Sequence, residues 1–229
     1  MLMKIRNVII LFVIAMLIIS CQKELSFGDT IGAGTTTPCK TCSYIPFCNG
    51  ASYTYIDTTA GTGTTSIQTI SVVKDTTIDG KIFQKFSNPG SDGYYNCTSG
   101  ISTIIAYQVP TSGGTVMKIE QIELKANEPV GATWSNTIIN GIGQNVDYNY
   151  KIVAKGASKL VLGINYSDVI QVHLKTSITV PVLGTIVVGE SDYFYANNIG
   201  LIDNINYTVI PSLPPIVSLH RVLKTYSIP

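Results

Sequence analysis

The run Ile67-Gln68-Thr69-Ile70-Ser71-Val72-Val73, then Thr77-Ile78-Asp79-Gly80-Lys81, then Ile82-Phe83-Gln84-Lys85-Phe86 decides the fold class. A strand turns successive side chains to opposite faces. Ile67, Thr69, Ser71 and Val73 therefore share one face, and Gln68, Ile70 and Val72 share the other. Asp79-Gly80 sits between two such runs. A tight two-residue turn needs positions that tolerate positive φ, so this pair predicts a hairpin. The β-branched and aromatic residues on either side suit a pleated surface better than a helix.

The same signals repeat outward from this hairpin. Upstream, Tyr53 and Tyr55 share a face in Ser52-Tyr53-Thr54-Tyr55-Ile56, and a Gly/Thr turn at 61–65 follows. Downstream, Asn88-Pro89-Gly90 turns the chain, and Tyr94-Tyr95 leads to Cys97. Ile101–Val109 and Val116–Leu124 read as a hairpin across Thr111-Ser112-Gly113-Gly114. In its second strand Val116, Lys118, Glu120 and Ile122 oppose Met117, Ile119, Gln121 and Glu123. Pro129-Val130-Gly131 breaks the run before Trp134. Further strands are predicted at Val146–Ala154, Lys159–Leu162, Asp168–Thr176, Ile178–Val188, Glu190–Ala196 and Leu219–Ser227. The Pro-rich segment 211–215 leaves room for one short helix after it, but no stretch after residue 21 keeps a helical period for three turns. About ten short strands with turn punctuation predict an all-β antiparallel meander, folded as a curved sheet, half-barrel or sandwich.

The amino terminus carries a different message. Lys4 and Arg6 precede an apolar stretch, Val8 to Ile19. Roughly a dozen apolar residues is too short for a membrane span, which needs ~20, and matches a secretory leader. Leu17-Ile18-Ile19-Ser20-Cys21 resembles a bacterial lipobox, which implies cleavage before Cys21 and acylation of its thiol. Gln22-Lys23-Glu24-Leu25 resembles the short charged signal that sends Bacteroidota lipoproteins to the cell surface, with the periplasmic face as the alternative. The expected organisation is a leader over 1–20, a flexible tether over 21–38 with Gly28, Gly32, Gly34 and Thr35-Thr36-Thr37-Pro38, and one β-rich domain over 39–229. The expected partner is a membrane, held through N-terminal acyl chains. Removing the leader takes the formal charge from +1 to −1. A nearly neutral body lacks the basic footprint of a nucleic-acid binder, so none is expected.

Four cysteines remain beside Cys21: Cys39, Cys42, Cys48 and Cys97. In an exported chain an even number of thiols predicts two disulfides, with three possible connectivities. A four-thiolate zinc site is the alternative, because Cys39 and Cys42 have ligand-like spacing, and a redox role for Cys39-Lys40-Thr41-Cys42 is a third reading.

Few residues suggest chemistry. His173 shares a strand face with Val169 and Gln171, and His220 precedes Arg221. Neither has a nucleophile or carboxylate supplied by a local motif, so both read as solvated strand positions. Glu190 and Asp192 fall on one strand face, where a polar outer surface is expected over acid/base chemistry or calcium binding. Trp134, Tyr193 and Tyr195 are the candidate ligand contacts, since flat rings stack on sugar faces. The competing reading is that the tyrosine stripes are the packed inner face of the sheet. No catalytic residue, metal site or cofactor motif emerges. A glycan or lipid is the expected class of ligand, with a glycan-acting hydrolase as the rival class.

Three segments resemble a plan shared among Bacteroidota surface lipoproteins: Lys74–Phe86 around its Asp-Gly turn, Pro129-Val130-Gly131-Ala132-Thr133-Trp134, and Tyr193-Phe194-Tyr195-Ala196-Asn197-Asn198-Ile199-Gly200-Leu201-Ile202. The resemblance implies an all-β exported domain built on a curved sheet like those of lipoprotein carriers, with no catalytic residues to carry over.

Overall fold

A computed structural model describes residues 42–229 apart from 89–90, 109–115, 141–143, 181, 183 and 211. The strands are β1 (Ser52–Thr59), β2 (Thr65–Ile78), β3 (Lys81–Asn88), β4 (Ser91–Thr98), β5 (Ile101–Gln108), β6 (Met117–Lys125), β7 (Thr133–Ile139), β8 (Asn145–Val161), β9 (Ile164–Val180), β10 (Gly184–Ala196), β11 (Gly200–Thr208) and β12 (Ile216–Ser227). They form one antiparallel sheet in the order β6-β5-β4-β3-β2-β1-β12-β11-β10-β9-β8-β7. Each half of the chain is a six-strand meander, and the two halves zip together where β1 pairs with β12. The all-β antiparallel class stands, and the sheet curls into a nearly closed barrel.

The last gap lies between β6 and β7, which share no ladder. Side chains bridge it. Asn136 presents its carboxamide as a peptide group would: Nδ2 donates to the Ile122 carbonyl at 3.1 Å, and the Ile122 amide donates to Oδ1 at 3.3 Å. Trp134 Nε1 donates to the same carbonyl at 2.9 Å. Lys155 Nζ donates to the carbonyls of Ala126 and Glu128 just beyond. Exposed strand edges invite pairing with other chains, and these side chains occupy both edges at once.

Asp79 and Gly80 both take positive φ, 50° and 76°, in the two-residue turn between β2 and β3, as their sequence requires. The predicted turn at 111–114 lies outside the described residues. Other boundaries differ. Lys159–Leu162 is not a separate strand but the end of β8, whose irregular register against β9 between Ile152 and Lys159 absorbs Lys155-Gly156 as bulges. Asp168–Thr176 likewise belongs to the 17-residue β9. The segment after 211–215 enters β12 at Ile216, not a helix, because β11 offers it an open edge to pair with.

The segment from Cys42 to Ala51 caps one end of the barrel. Phe47 packs against Tyr53, Phe86 and Tyr95 at ring separations of 5.0–5.4 Å, and Ile45 is buried. Tyr53 donates its hydroxyl to the Pro46 carbonyl, and Tyr44 donates to Asp168. A disulfide joins Cys42 to Cys97 at the end of β4, with Cα atoms 6.2 Å apart. This overturns both the zinc and the Cys39–Cys42 redox readings, since the Cys42 sulfur is already bonded elsewhere. Cys48 is disulfide-bonded as well. Cys21 and Cys39 lie outside the described residues.

The end of the β8–β9 hairpin folds over the outer wall. Lys159 Nζ lies 3.7 Å from the centre of the Phe194 ring and 3.0 Å from Asp203, while Val161 and Tyr166 pack with Ile202. Phe194 and Asp203 are cross-strand partners on the face opposite Tyr193 and Tyr195. Val161, Tyr166 and Ile202 belong to one apolar cluster with Tyr53, Tyr55 and Leu223, and a second gathers Trp134, Tyr150, Ile170 and Tyr195.

Candidate functional site

The inner face is built by strand alternation. Tyr53, Tyr55 and Asp57 point inward from β1, with Tyr193 and Tyr195 from β10. The tyrosine stripes are therefore the inner wall. Trp134 joins them: it is buried, and its ring lies parallel to Tyr150 at 5.2 Å. An exposed platform for sugars at Trp134 is excluded by this packing.

The inner wall carries a polar row among its apolar side chains. Tyr193, Asn204, Arg221 and Asp57 form one cross-strand row over β10, β11, β12 and β1. Arg221 grips Asp57 through two bonds of 2.7 Å and lies 5.4 Å from the centre of the Tyr55 ring. The forked geometry is the strong form of the ion pair, and it holds the guanidinium pKa above its ordinary value. The Arg221 side chain is 23% exposed, so water reaches the interior at this level.

Glu123 is the residue that sequence reasoning passed over. Ser102 pairs with Leu124 and Thr103 with Ile122, leaving Glu123 as the extra residue of a bulge in β6. A bulge re-aims its side chain, and here it turns a carboxyl group toward the interior. Tyr195 donates its hydroxyl to Oε1 at 2.9 Å. Among the described residues no donor meets Oε2 and no cation pairs with the group. Tyr55, Tyr95, Tyr150 and Tyr193 stand near enough to feel its charge. Burial pushes the carboxyl up to about 7, opposed in part by the Tyr195 hydrogen bond. Burial, aided by the Glu123 charge, also lifts the Tyr193 hydroxyl to about 12. The sequence did hold a signal: Glu123 shares the alternating face of Met117 and Ile119, where a carboxylate is out of place.

A cavity of about 190 Å³ opens beside the disulfide, lined by Cys42, Tyr44, Ile45, Cys97, Ser102 and Leu124 among others. It adjoins the same bulge through Leu124.

The histidines sit on the outer wall, and both have carboxylate partners. The register places His173 opposite Asp192, with Nδ1 and Oδ1 3.0 Å apart, and Glu190 lies 3.9 Å from its Nε2. His220 Nε2 lies 2.8 Å from Asp203 Oδ1. Both remain partly solvated strand positions, at 30% and 43% side-chain exposure, and each has in addition a carboxylate neighbour. Their partners come from neighbouring strands, which no local motif reveals. Glu190 and Asp192 do occupy the polar outer face, with Lys175 3.5 Å from Glu190. Among the described residues no three His, Cys, Asp or Glu side chains converge as a metal site needs.

No sequence family matches the chain, and no curated protein matches it. Two solved structures are similar in fold. One, a candidate lipoprotein from Parabacteroides distasonis, superposes with a TM-score of 0.51 at 14% identity, over 82% of this chain and 100% of the other. The second is a candidate exported protein with a YmcC-like fold from Bacteroides fragilis. It has a TM-score of 0.47 at 14% identity, over 81% and 99% of the two chains. At this identity the first likeness bears on the fold alone.

Proposed function

We propose that the protein is an envelope lipoprotein, anchored through an acylated Cys21 and carried on the tether 21–38, whose barrel is a non-enzymatic binding module with its ligand site in the lumen. The leader 1–20 and the charged Gln22-Lys23-Glu24 favour the outer membrane and its outer surface. Several acyl chains on one cysteine, at about 0.8 kcal/mol per buried methylene, hold such a body on a membrane against dissociation.

The observation that carries the binding role is the polar row Tyr193, Asn204, Arg221 and Asp57 on an inner wall that water reaches. A barrel built only to support the envelope gains most from apolar side chains there, since each buried polar group must be matched or costs free energy. Small-molecule sites combine aromatic walls with a few convergent polar groups, which is the composition here. Tyr193 is then a ligand contact, whereas Tyr195 is packed at 1% exposure and Trp134 stacks on Tyr150. Glu190 and Asp192 lie on the convex outer wall, which gives a hydrolase no cleft.

Two measurements test the reading separately. Cys21→Ala is expected to move the protein from the membrane fraction to the soluble one with its β circular dichroism intact, and retention in membranes at high salt would sink the anchor. A glycan array and a lipid-extract screen on the soluble protein are expected to yield a ligand whose binding Arg221→Met abolishes. Binding that ignores Arg221→Met would remove the site from the lumen.

A further inference from the structure

We infer that the end of the barrel opposite the cap docks on a lipid bilayer, its uncharged aliphatic tips between β7 and β12 seated in the headgroup boundary of neutral lipid. The inference rests on the membrane-anchored reading above and adds the orientation of the barrel on that membrane.

Strand direction gathers the tips. β7, β9 and β11 all run away from the cap, so the β7–β8, β9–β10 and β11–β12 connections leave the same end. The sequence keeps charge off all three, with no Asp, Glu, Lys or Arg over 129–146, 176–189 or 204–219. The exposed side chains there are aliphatic instead. Val182 is fully exposed, and Ile139, Leu213 and Ile216 are more than half exposed. Behind them Ile138, Val146, Ile178 and Ile186 form one half-buried row across β7, β8, β9 and β10. Charge returns on the far side of this end, where Lys85 on β3 pairs with Asp92 on β4 at 2.8 Å.

Three properties suit this rim to lipid. First, its apolar area gains by leaving water, and the charge-free stretches carry no ion into the membrane boundary. Second, polar groups at the tips are already matched, as a bilayer demands. The Leu213 amide donates to the Ile210 carbonyl, Asn140 and Gln144 bond each other through backbone and side chain, and the Thr179 and Thr185 hydroxyls lie 3.3 Å apart. Third, Val182 takes φ 73°, a region that a β-branched residue tolerates worst, and its fully exposed side chain gains no packing in return. A protein partner ordinarily meets a polar and charged rim, and these tips offer it no charge to pair with.

The anchor allows this orientation. Extended chain from Cys21 to Cys42 reaches about 70 Å. β10, with 13 residues, is about 40 Å long, so acyl chains and rim can sit in one bilayer. A second exposed aliphatic group, Leu160, Leu162 and Ile164, lies at the cap end, where Lys159 interrupts it.

The test uses the mature chain from residue 21 carrying Cys21→Ala, which has no acyl chains, mixed with phosphatidylcholine vesicles and read by flotation. Reversible binding at millimolar lipid is expected, too weak to survive washing and equal in low salt and in about 1 M sodium chloride. Leu213→Asp with Ile216→Asp should weaken it about tenfold or more, with the β circular dichroism unchanged because both side chains face solvent. Leu162→Asp should bind as the parent does. No bound fraction at any lipid concentration would overturn the inference. So would loss of binding through Leu162→Asp alone, or binding confined to anionic vesicles and released by salt. Self-association abolished by the paired substitution, without vesicle binding, would overturn it too and make the rim a contact between copies. An unmodified Cys21 in the intact mass of the wild type would remove the anchor while leaving vesicle binding by the rim as measured.

Discussion

Replacing Glu123 by Gln should make the protein more stable at neutral and alkaline pH and change little in acid. The carboxyl titrates at about 7 in the folded barrel against an ordinary 4.5. Above pH 4.5 the unfolded chain sheds this proton while the folded chain keeps it. Stability therefore declines as pH rises from about 4.5 to about 7 and then levels off, because both states are ionised. Every pH unit between those two values is worth about 1.4 kcal/mol, so the whole decline is about 3 kcal/mol. That is an upper figure, since water reaches the second oxygen of the carboxyl. Glutamine matches the shape of the protonated acid and still accepts the Tyr195 hydroxyl, without a proton to lose. Urea titrations followed by Trp134 emission at a series of pH values give both curves. Groups elsewhere cancel in the difference between variant and wild type. The two should run together near pH 4 and separate by about 3 kcal/mol near pH 8. Parallel curves throughout would refute the claim that burial holds this proton.

Asn136→Leu deletes both bonds that tie Ile122 to β7 and should cost about 2 kcal/mol in a urea melt, with amide exchange accelerating first at Ile122; an unchanged Ile122 amide would show that the seam is held by other means. Cys97→Ser opens a loop of 55 residues and should cost about 4 kcal/mol. Non-reducing peptide mapping of the wild type should recover Cys42 joined to Cys97 and Cys39 joined to Cys48, and any other pairing would overturn that prediction.

The seam shows how side chains tie the two ends of a twelve-strand meander together at Ile122. A full ladder between β6 and β7 would demand matched registers from two strands that are far apart in the sheet order. The Asn136 carboxamide is a local substitute for that ladder. It sets an N–H donor and a carbonyl acceptor at peptide-like spacing, and so satisfies both backbone groups of Ile122. Trp134 serves twice, donating to the same carbonyl and stacking on Tyr150. A loss at this position would therefore open the seam and disturb the lumen wall together.

Leu162 shows a local cost accepted for architecture. It sits at φ 48° in the two-residue turn of the β8–β9 hairpin, followed by Gly163 at φ 82°. Leucine tolerates that region poorly compared with asparagine or aspartate. The hairpin nonetheless closes there, because Val161 and Tyr166 on either side are buried against the outer wall.

The sequence alone determined the class of backbone and which tyrosines share a strand face. Alternation in Tyr53–Tyr55 and Tyr193–Tyr195, and the Asp79-Gly80 turn, are local properties, and each depends only on the two-residue period of a strand. It also determined an even set of thiols for disulfide formation. Tertiary structure decided what depends on register and closure. Cys42 pairs with Cys97 because the capping segment returns to the end of β4. His173 and His220 gain carboxylates because β9–β10 and the outer wall of β11–β12 set their neighbours. Whether the sheet stays open, and where Glu123 points, follow from a seam and a bulge, and both are settled by contacts between strands that no single stretch of sequence contains.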